Sequence, residues 1–573
     1  MVSLVAAHGS QICGSREACT RPLRLSCTVR WIIALNAPSS TSKYMPVEKP
    51  NIVAYITAMS YHSKVSILST IIAWTSCAIG QPGMEWQTTL GGDTAEICTA
   101  LTRTSEGGYI VAGYAMSDQG DVSGNHGKRD YWIVKLDAQG TLQWQRSYGG
   151  TEDDYAYSIQ QLADGGYVVA GQTYSVNGDV EGNHGGSDFW LLRLDMIGDI
   201  IWAKCYGGTN SEVGAFVKST ADGGFVLAGG SYSSDGDLSE NQGSSDLWFI
   251  KLTADGTLDW QKNYGGSGFD RAFSIEQTTN QGFILAGFTE SSDGDVTGYH
   301  SAYDAWIVKL DEQGDLEWER AYGGSQNDWA FEAHETPDGG YAFVGSVHSN
   351  DGDVVGNHGS RDGWLAKIGS IGAMEWQRTY GGSGYDGTEA LLLTPEGYII
   401  AGYSGSNDGD VVGSHGSTDM WISSVSPTGA IEWQSALGGS EYDRVNAMIR
   451  NSDGSILLAG QTSSNDGDVT SANGDIDYWV VKLGTSLNSI VDMTQFSMVC
   501  APNPATDQLR VTMPLGTTGS VLCMINALGQ EALTTRMDDS VSLVDVSGLP
   551  SGPYQLMLTT NSGLRCTITV VVR

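Results

Sequence analysis

From residue 143 onward, short apolar and aromatic runs alternate with clusters of polar turn formers. QWQRSYGG, YAYSIQQLADGG, YVVAGQTYS and DFWLLRLD follow one another, each rich in β-branched and aromatic residues and each closed by Gly, Asp or Asn. That patterning predicts four short β-strands. The unit then recurs. One tryptophan stands at Trp86, Trp144, Trp202, Trp260, Trp318, Trp376 and Trp433, and a second at Trp132, Trp190, Trp248, Trp306, Trp364, Trp421 and Trp479, spaced by 58 residues with one step of 57. The short step falls where Asp338, Gly339 and Gly340 of one unit become Glu396 and Gly397 in the next, a single deletion inside a turn.

A lone four-stranded sheet cannot bury both faces, whereas several set radially bury each sheet against its neighbours. The repeat therefore predicts an all-β fold, a β-propeller with one blade per unit and with Trp, Tyr and Val packing sheet on sheet. With YSIQQL innermost, YVVAGQ second, DFWLLRL third and LQWQRSY outermost, the repeats open on an outermost strand at 85–89 and stop after a third strand at 478–483. The two ends then complete one blade together. Such a mixed-terminus blade requires as many blades as repeats, which is seven.

YGGSGYD, DGGY, AGYSGSNDGDV and DYWIVKLDAQGTLQW resemble the bacterial seven-bladed β-propeller repeat, over about residues 86–483. The resemblance implies the fold. It implies no single activity.

Between the second and third strands each unit carries a loop of the form GDVxGxHGxxDxW, as at Gly352, Asp353, Asn357, His358, Gly359, Asp362 and Trp364. Its first aspartate recurs at Asp121, Asp179, Asp237, Asp295, Asp353, Asp410 and Asp468, and its second at Asp130, Asp188, Asp246, Asp304, Asp362, Asp419 and Asp477. Two readings apply. Closely spaced carboxylates and carbonyl-rich Gly turns make these fourteen aspartates candidate Ca²⁺ ligands, since Ca²⁺ takes about six to eight oxygens on an adaptable loop. Alternatively they accept backbone N–H bonds within a long turn. Histidine is present in five loops, at His126, His184, His300, His358 and His415, with Gln242 and Asn473 in the other two. Gln and Asn replace a hydrogen-bonding His but not a transition-metal imidazole, which argues against a histidine metal site.

A further acid follows each outermost strand, at Glu96, Asp154, Glu212, Asp270, Asp328, Asp386 and Asp443. On the strand order above, three acidic rings share one face of the propeller, and a charged face of this kind is expected to collect cations or polar ligands. Recurrence in every blade argues against catalysis, which needs a unique constellation. The departures from the repeat are Lys218, Arg271, Trp329, His334, His348, Arg444 and Cys205, and they form no recognisable triad, acid–base pair or metal spacing. Regularly placed tryptophans fit blade packing better than a quinone cofactor, so no cofactor other than Ca²⁺ is indicated.

Composition supports a turn-rich, strand-forming chain: 76 Gly, 17 Trp and 25 Tyr among 573 residues, with only 17% charged. The formal net charge of −36 excludes nucleic acid as a partner, because a phosphate backbone is bound through clustered Lys and Arg. At the beginning, residues 59–80 have the parts of a secretory signal: Met59, the basic Lys64, an apolar run over 65–79, and small residues Ala78 and Gly80 before an expected cut. Residues 1–58 lie upstream of that signal and are expected to be structureless. An apolar run of 15 residues is short of the roughly 20 that span a bilayer, so no transmembrane helix is expected. The nine cysteines show no CxxC spacing, and a Cys523–Cys566 disulfide stands beside isolated buried thiols as an open alternative.

The propeller is expected over 81–483 and a polar linker over 484–495. In 496–573, DQLRVTM, SVLCMINALG, VSLVDVSG, PYQLMLTT and TITVVV predict a small β-sandwich. Pro502, Asn503 and Pro504, then Leu528, Gly529 and Gln530, then Gly552 and Tyr554 within LPSGPY, resemble the type A C-terminal sorting domain of the type IX secretion system of Bacteroidota. The departures are Pro553 and a tail poor in Lys. The resemblance implies contact with the type IX machinery, passage across the outer membrane and a final place at the cell surface or outside the cell. The expected function is a non-catalytic scaffold that recognises an unidentified glycan or protein ligand. The alternatives are an exported enzyme with a site in the central channel, or a structural surface protein.

Overall fold

A computed structural model describes residues 81–485, 499–501, 505–512, 520–526, 531–537, 541–559 and 565–573. The expected signal segment, the residues before it and most of the linker lie outside the described residues. No helix occurs among those described, and none therefore is long and apolar enough to cross a membrane.

Residues 84–483 form seven four-stranded antiparallel sheets. Blade one contains Glu96–Arg103, Tyr109–Ala115, Asp130–Leu136 and Leu142–Tyr148, in that order from the inside outward. Blades two to six repeat it over 154–206, 212–264, 270–322, 328–380 and 386–437. Blade seven takes three strands from 443–483 and its outermost strand, Met84–Leu90, from the beginning of the propeller, with Leu90 opposite Tyr478 and Thr88 opposite Val480.

Strand alternation explains why the third strands are buried almost throughout. In Asp130–Leu136, Tyr131 and Ile133 enter the core shared with blade two, while Trp132 and Val134 enter the core shared with blade seven. Ring pairs carry the packing from blade to blade: Tyr131 on Trp190 at 4.6 Å, Phe189 on Trp248 at 4.9 Å, and Tyr478 on Trp132 at 4.5 Å. The last of these joins blade seven to blade one. Such pairs add about 0.5–1.5 kcal/mol each beyond burial.

The buried tryptophans also need a partner for their indole N–H. Trp132 donates to Gln145 at 2.8 Å, Trp364 to Gln377 at 2.9 Å and Trp421 to Gln434 at 2.9 Å. In blade seven the acceptor is Gln87, at 2.7 Å from Trp479, so the first strand supplies what the outermost strand supplies elsewhere. Blade two has Ala203 at this place, and the Trp190 N–H is left buried and unpaired.

The C-terminal domain pairs Val499–Ala501, Gln508–Thr512 and Val541–Asp545 in one sheet, and Glu531–Met537, Ser520–Asn526, Gly552–Thr559 and Arg565–Val572 in another. Leu509, Val511, Leu522, Met524, Val544, Leu556 and Val570 form its core. Two of these strands, Val499–Ala501 and Glu531–Met537, go beyond the expected set. The Cys523–Cys566 disulfide does not form. Cys523 is a free thiol, and Gly552–Thr559 runs between the two cysteine-bearing strands. That separates them by two strand spacings, about 9–10 Å, too far for a disulfide.

Candidate ligand-binding face

The three acidic rings lie together at the seven blade junctions, but two of them are not a surface. The second-ring carboxylates are fully buried, from Asp130 to Asp477, and so are the third-ring acids, from Glu96 to Asp443. Only the first ring, from Asp121 to Asp468, remains half-buried. The expected cation-collecting rim is therefore corrected: most of its charge has been folded inward.

Each second-ring carboxylate accepts the backbone N–H four residues earlier. The donors are His126, His184, Gln242, His300, His358, His415 and Asn473, at 2.5–3.0 Å. Gln242 and Asn473 preserve this bond, which is why the loop tolerates them. Where histidine is present its ring adds a second contact, as from His126 Nδ1 to Asp130 at 2.6 Å. His300 also places Nε2 3.9 Å from Asp353 of the next blade, and Gln242 donates to Asp295 at 2.9 Å, so the side chain bridges the junction. In six blades a first-ring carboxylate accepts from a glycine N–H at 3.1–3.4 Å, as Asp179 does from Gly149. All seven, Asp410 included, also donate their own N–H to the carbonyl of that glycine, as Asp410 does to Gly381 O at 2.8 Å. Thirteen of the fourteen carboxylates considered for Ca²⁺ thus accept hydrogen bonds within these turns and junctions. Among the described residues no group of three or more His, Cys, Asp or Glu has the arrangement of a cation site.

The third-ring acid knits the next blade onto this structure. Its N–H bonds the carbonyl before the second-ring aspartate, as in Asp154 to Arg129 at 2.6 Å, and Glu96 to Ile476 at 2.7 Å closes the circle. Asp154 accepts from Gly150 N at 2.8 Å, Ser175 Oγ at 2.9 Å and Thr173 Oγ1. The second- and third-ring carboxylates face one another across the first Gly of the YGG turn. A Cβ on Gly149 would lie 2.5 Å from Asp154 Oδ2 and 2.7 Å from Asp130 Oδ1, so only glycine fits. Oδ1 of all seven second-ring aspartates is buried without a donor. Burial, joined by the neighbouring carboxylate, pushes Asp154, Asp246, Asp304 and Asp477 up to about 6.

The innermost strands surround a central cavity of about 460 Å³. Two of the repeat-breaking residues enter it. Lys218 pairs with Glu276 at 2.9 Å, and His334 Nε2 lies 3.0 Å from Glu332. Burial disfavours the His334 cation, but Glu332 and Glu276 outweigh it and raise its pKa. Glu332 also accepts from Leu391 N at 2.6 Å, so these groups cross-link adjacent strands. Cys205 faces Trp190 across the outer pair of blade two, and burial raises its thiol pKa far from reactivity.

The remaining departures gather at the mouth where the innermost strands begin. Trp329 meets His348 at 5.3 Å, Arg361 lies 5.2 Å over Trp329 and 5.7 Å over Tyr403, and Arg444 lies 4.8 Å over Tyr403. Tyr303, Phe288 and Phe273 continue the series into blade four, and Phe273 meets Phe331 of blade five, at 5.0–6.3 Å between rings. The positions on either side of the third-ring acid help build this mouth, and they differ from blade to blade. The residue before the third-ring acid is Ala95, Asp153, Ser211, Phe269, Asn327, Tyr385 or Tyr442, and the one after it Ile97, Tyr155, Val213, Arg271, Trp329, Gly387 or Arg444. Tyr174, Tyr232 and Tyr385 are exposed there. Sequence reasoning named Arg271, Trp329, His348 and Arg444 but missed the tyrosines, which a position-by-position alignment of the seven units reveals.

In the tail, Tyr554 is buried and donates its hydroxyl to Pro550 O at 2.8 Å, and Gly552 begins the same strand. Pro502, Asn503, Pro504, Leu528, Gly529 and Gln530 lie outside the described residues.

Fold and site thus define an all-β propeller with a separate β-sandwich tail. Residues 500–573 match the family described as the secretion system C-terminal sorting domain, and the protein is exported by the type IX route to the cell surface or beyond. The regulatory protein FlaEY of Caulobacter vibrioides is 22% identical over 428 residues, 66% of this chain and 44% of that protein. The chain thus spans less than half of that relative's length. Among solved structures, the Pan2 WD40 domain of Neurospora crassa is 9% identical with a TM-score of 0.39, over 71% of this chain and 99% of that one. The extracellular domain of the putative hybrid two component system BT4673 from B. thetaiotaomicron is 10% identical with a TM-score of 0.35, over 86% and 60%. PorZ, a surface component of the type IX secretion system of Porphyromonas gingivalis, is 10% identical with a TM-score of 0.20, over 89% and 88%.

Proposed function

We propose that the propeller is a non-catalytic recognition scaffold displayed outside the cell, and that it reads its ligand at the variable mouth of the channel. The observation that supports this most is the division of labour within the repeat. Positions that recur seven times are consumed by turns, blade junctions and cores, whereas the mouth positions vary, are rich in Tyr, Phe, Trp and Arg, and reach solvent. Aromatic and Arg side chains are the residues that concentrate binding energy at interfaces. The test is to screen the full chain on glycan and protein arrays beside a Tyr232→Ala, Tyr385→Ala double variant. Capture of a ligand by the parent and its loss in the variant is the expected result. Capture that ignores both substitutions would overturn the assignment to this mouth.

The gathering of Lys218, Glu276, Glu332 and His334 in the channel favours a second reading, an exported enzyme. Against it, Lys218, Glu276 and Glu332 already hold neighbouring strands, and His334 is held by Glu332 on its own strand. A His334→Ala variant that still captures the ligand supports the scaffold.

A further inference from the structure

Four arginines stand at the variable mouth, and they differ in one respect. Arg129 pairs with Asp153 at 3.0 Å and Arg444 with Glu389 at 2.5 Å. Arg271 and Arg361 form no ion pair among the described residues, and each, like Arg444, has a buried Nε without an acceptor. Arg271 is the more enclosed. Its guanidinium lies 5.2 Å over Phe273 and rests on the backbone of Gly214, where an added Cβ would meet its terminal nitrogen at 2.1 Å. Gly214 has φ +68°, and the bulge it creates makes room for the cation. Burial lowers the Arg271 pKa, with Tyr157, Tyr232 and Tyr174 acting in the other direction.

Arg271 opens into a cavity of about 180 Å³ that also has Tyr232, Ser245, Phe269, Phe288 and Tyr303 in its walls. Tyr232 and Phe269 stand 6.0 Å apart, and Phe288 and Tyr303 5.0 Å. The one carboxylate in the lining, Asp270, is turned away and held by Gly266 N, Ser291 Oγ and Thr289 Oγ1. Glu290, outside the lining, acts on the Tyr303 hydroxyl and forms no ion pair with Arg271 among the described residues. A guanidinium enclosed by aromatic rings without a counterion is unfavourable by itself. An incoming carboxylate relieves it.

We propose that this cavity is an anion subsite within the recognition face and takes the carboxylate-bearing ring of an acidic sugar, a uronic or sialic acid unit. The volume suits one monosaccharide. Aromatic walls pack on the apolar C–H faces of a sugar ring, the guanidinium fork matches a carboxylate, and Ser245 with the tyrosine hydroxyls supplies partners for sugar hydroxyls. The inference rests on the recognition reading and narrows it to one ligand chemistry.

Isothermal titration of the full chain tests it with two matched pairs: trigalacturonate against its methyl ester, and sialyllactose against lactose. The expected result is that one acidic member binds at least tenfold more tightly than its neutral partner. Which pair responds separates a uronic from a sialic source. Arg271→Gln should remove that preference, and Arg271→Lys should retain part of it. Equal binding of the acidic and neutral members overturns the anion subsite without a mutant, so a folding defect cannot obscure the answer. Preference for the acidic member that survives Arg271→Gln in a chain of unchanged Tm overturns the role of Arg271. If neither acid binds while another array ligand is captured and lost on Tyr232→Ala, Tyr385→Ala substitution, the subsite fails and the recognition face stands.

Discussion

The buried carboxyl pairs at the blade junctions make stability depend on pH in an unusual direction. Asp154, Asp246, Asp304 and Asp477 rise from 3.8 to about 6 on folding. A carboxyl with a raised folded pKa binds its proton more tightly when folded, so its stabilising contribution is complete below about pH 3.8 and is lost as pH rises through about 6. At about 1.4 kcal/mol per pKa unit, each of the four is worth at most about 3 kcal/mol. The acids stand in pairs, and a proton held by one reduces the gain from the other, so a third of that, about 4 kcal/mol over all four, is the working figure. With an unfolding entropy of about 2.1 cal/mol/K per residue over some 400 propeller residues, this corresponds to about 5 °C in Tm. Asp338, held at about 2 by Thr336, Gly340 N and Lys367, and Asp222, lowered chiefly by Lys251, act oppositely: their contribution is lost as pH falls below about 3.8. Stability should therefore peak near pH 4–5 and decline toward pH 7. Differential scanning calorimetry from pH 3.5 to 8 at constant ionic strength reads this directly. Asp246→Asn, which places an amide N–H at the unpaired oxygen position, should flatten the decline. A Tm that is level or rising between pH 5 and 7, together with an unchanged profile in that variant, would refute the reasoning.

Other consequences are equally open to measurement. Ala203→Gln should give the Trp190 N–H the acceptor its counterparts have and raise the urea midpoint by the equivalent of about 1 kcal/mol; no gain would mean the indole is already satisfied. Gly149→Ala drives a methyl between two carboxylates and should cost about 2–3 kcal/mol in equilibrium unfolding, against little change for Gly107→Asn, where a Cβ meets open space. Gln87→Ala should cost about 1–2 kcal/mol through Trp479, and removal of residues 84–90 should leave blade seven open to limited proteolysis.

The blades were legible because their period is carried by large residues: two tryptophans per unit, a turn after every strand, and an incomplete set of strands at each end that fit together. The acidic rings were legible as positions but not as environments. An aspartate at the first position of a strand looks exposed in a sequence, and only the approach of the next blade's YGG turn shows that Asp130 and Asp154 share one buried junction. Glu531–Met537 escaped notice because Thr534, Thr535 and Arg536 interrupt its apolar pattern. The mouth was half legible. Arg271, Trp329, His348 and Arg444 stood out as departures, yet their convergence depends on positions separated in sequence and united only by the radial arrangement.

The strand that seals blade seven is separated from its partner by almost the whole propeller, with Met84 opposite Leu483. A contact spanning so much chain carries a large closure entropy and forms late, so folding is slow and the finished circle is slow to open again. The sorting tail follows that partner strand. A polypeptide whose synthesis stops within the repeats lacks its export label, so a chain that starts with the first half of the clasp and bears the label also has the second half.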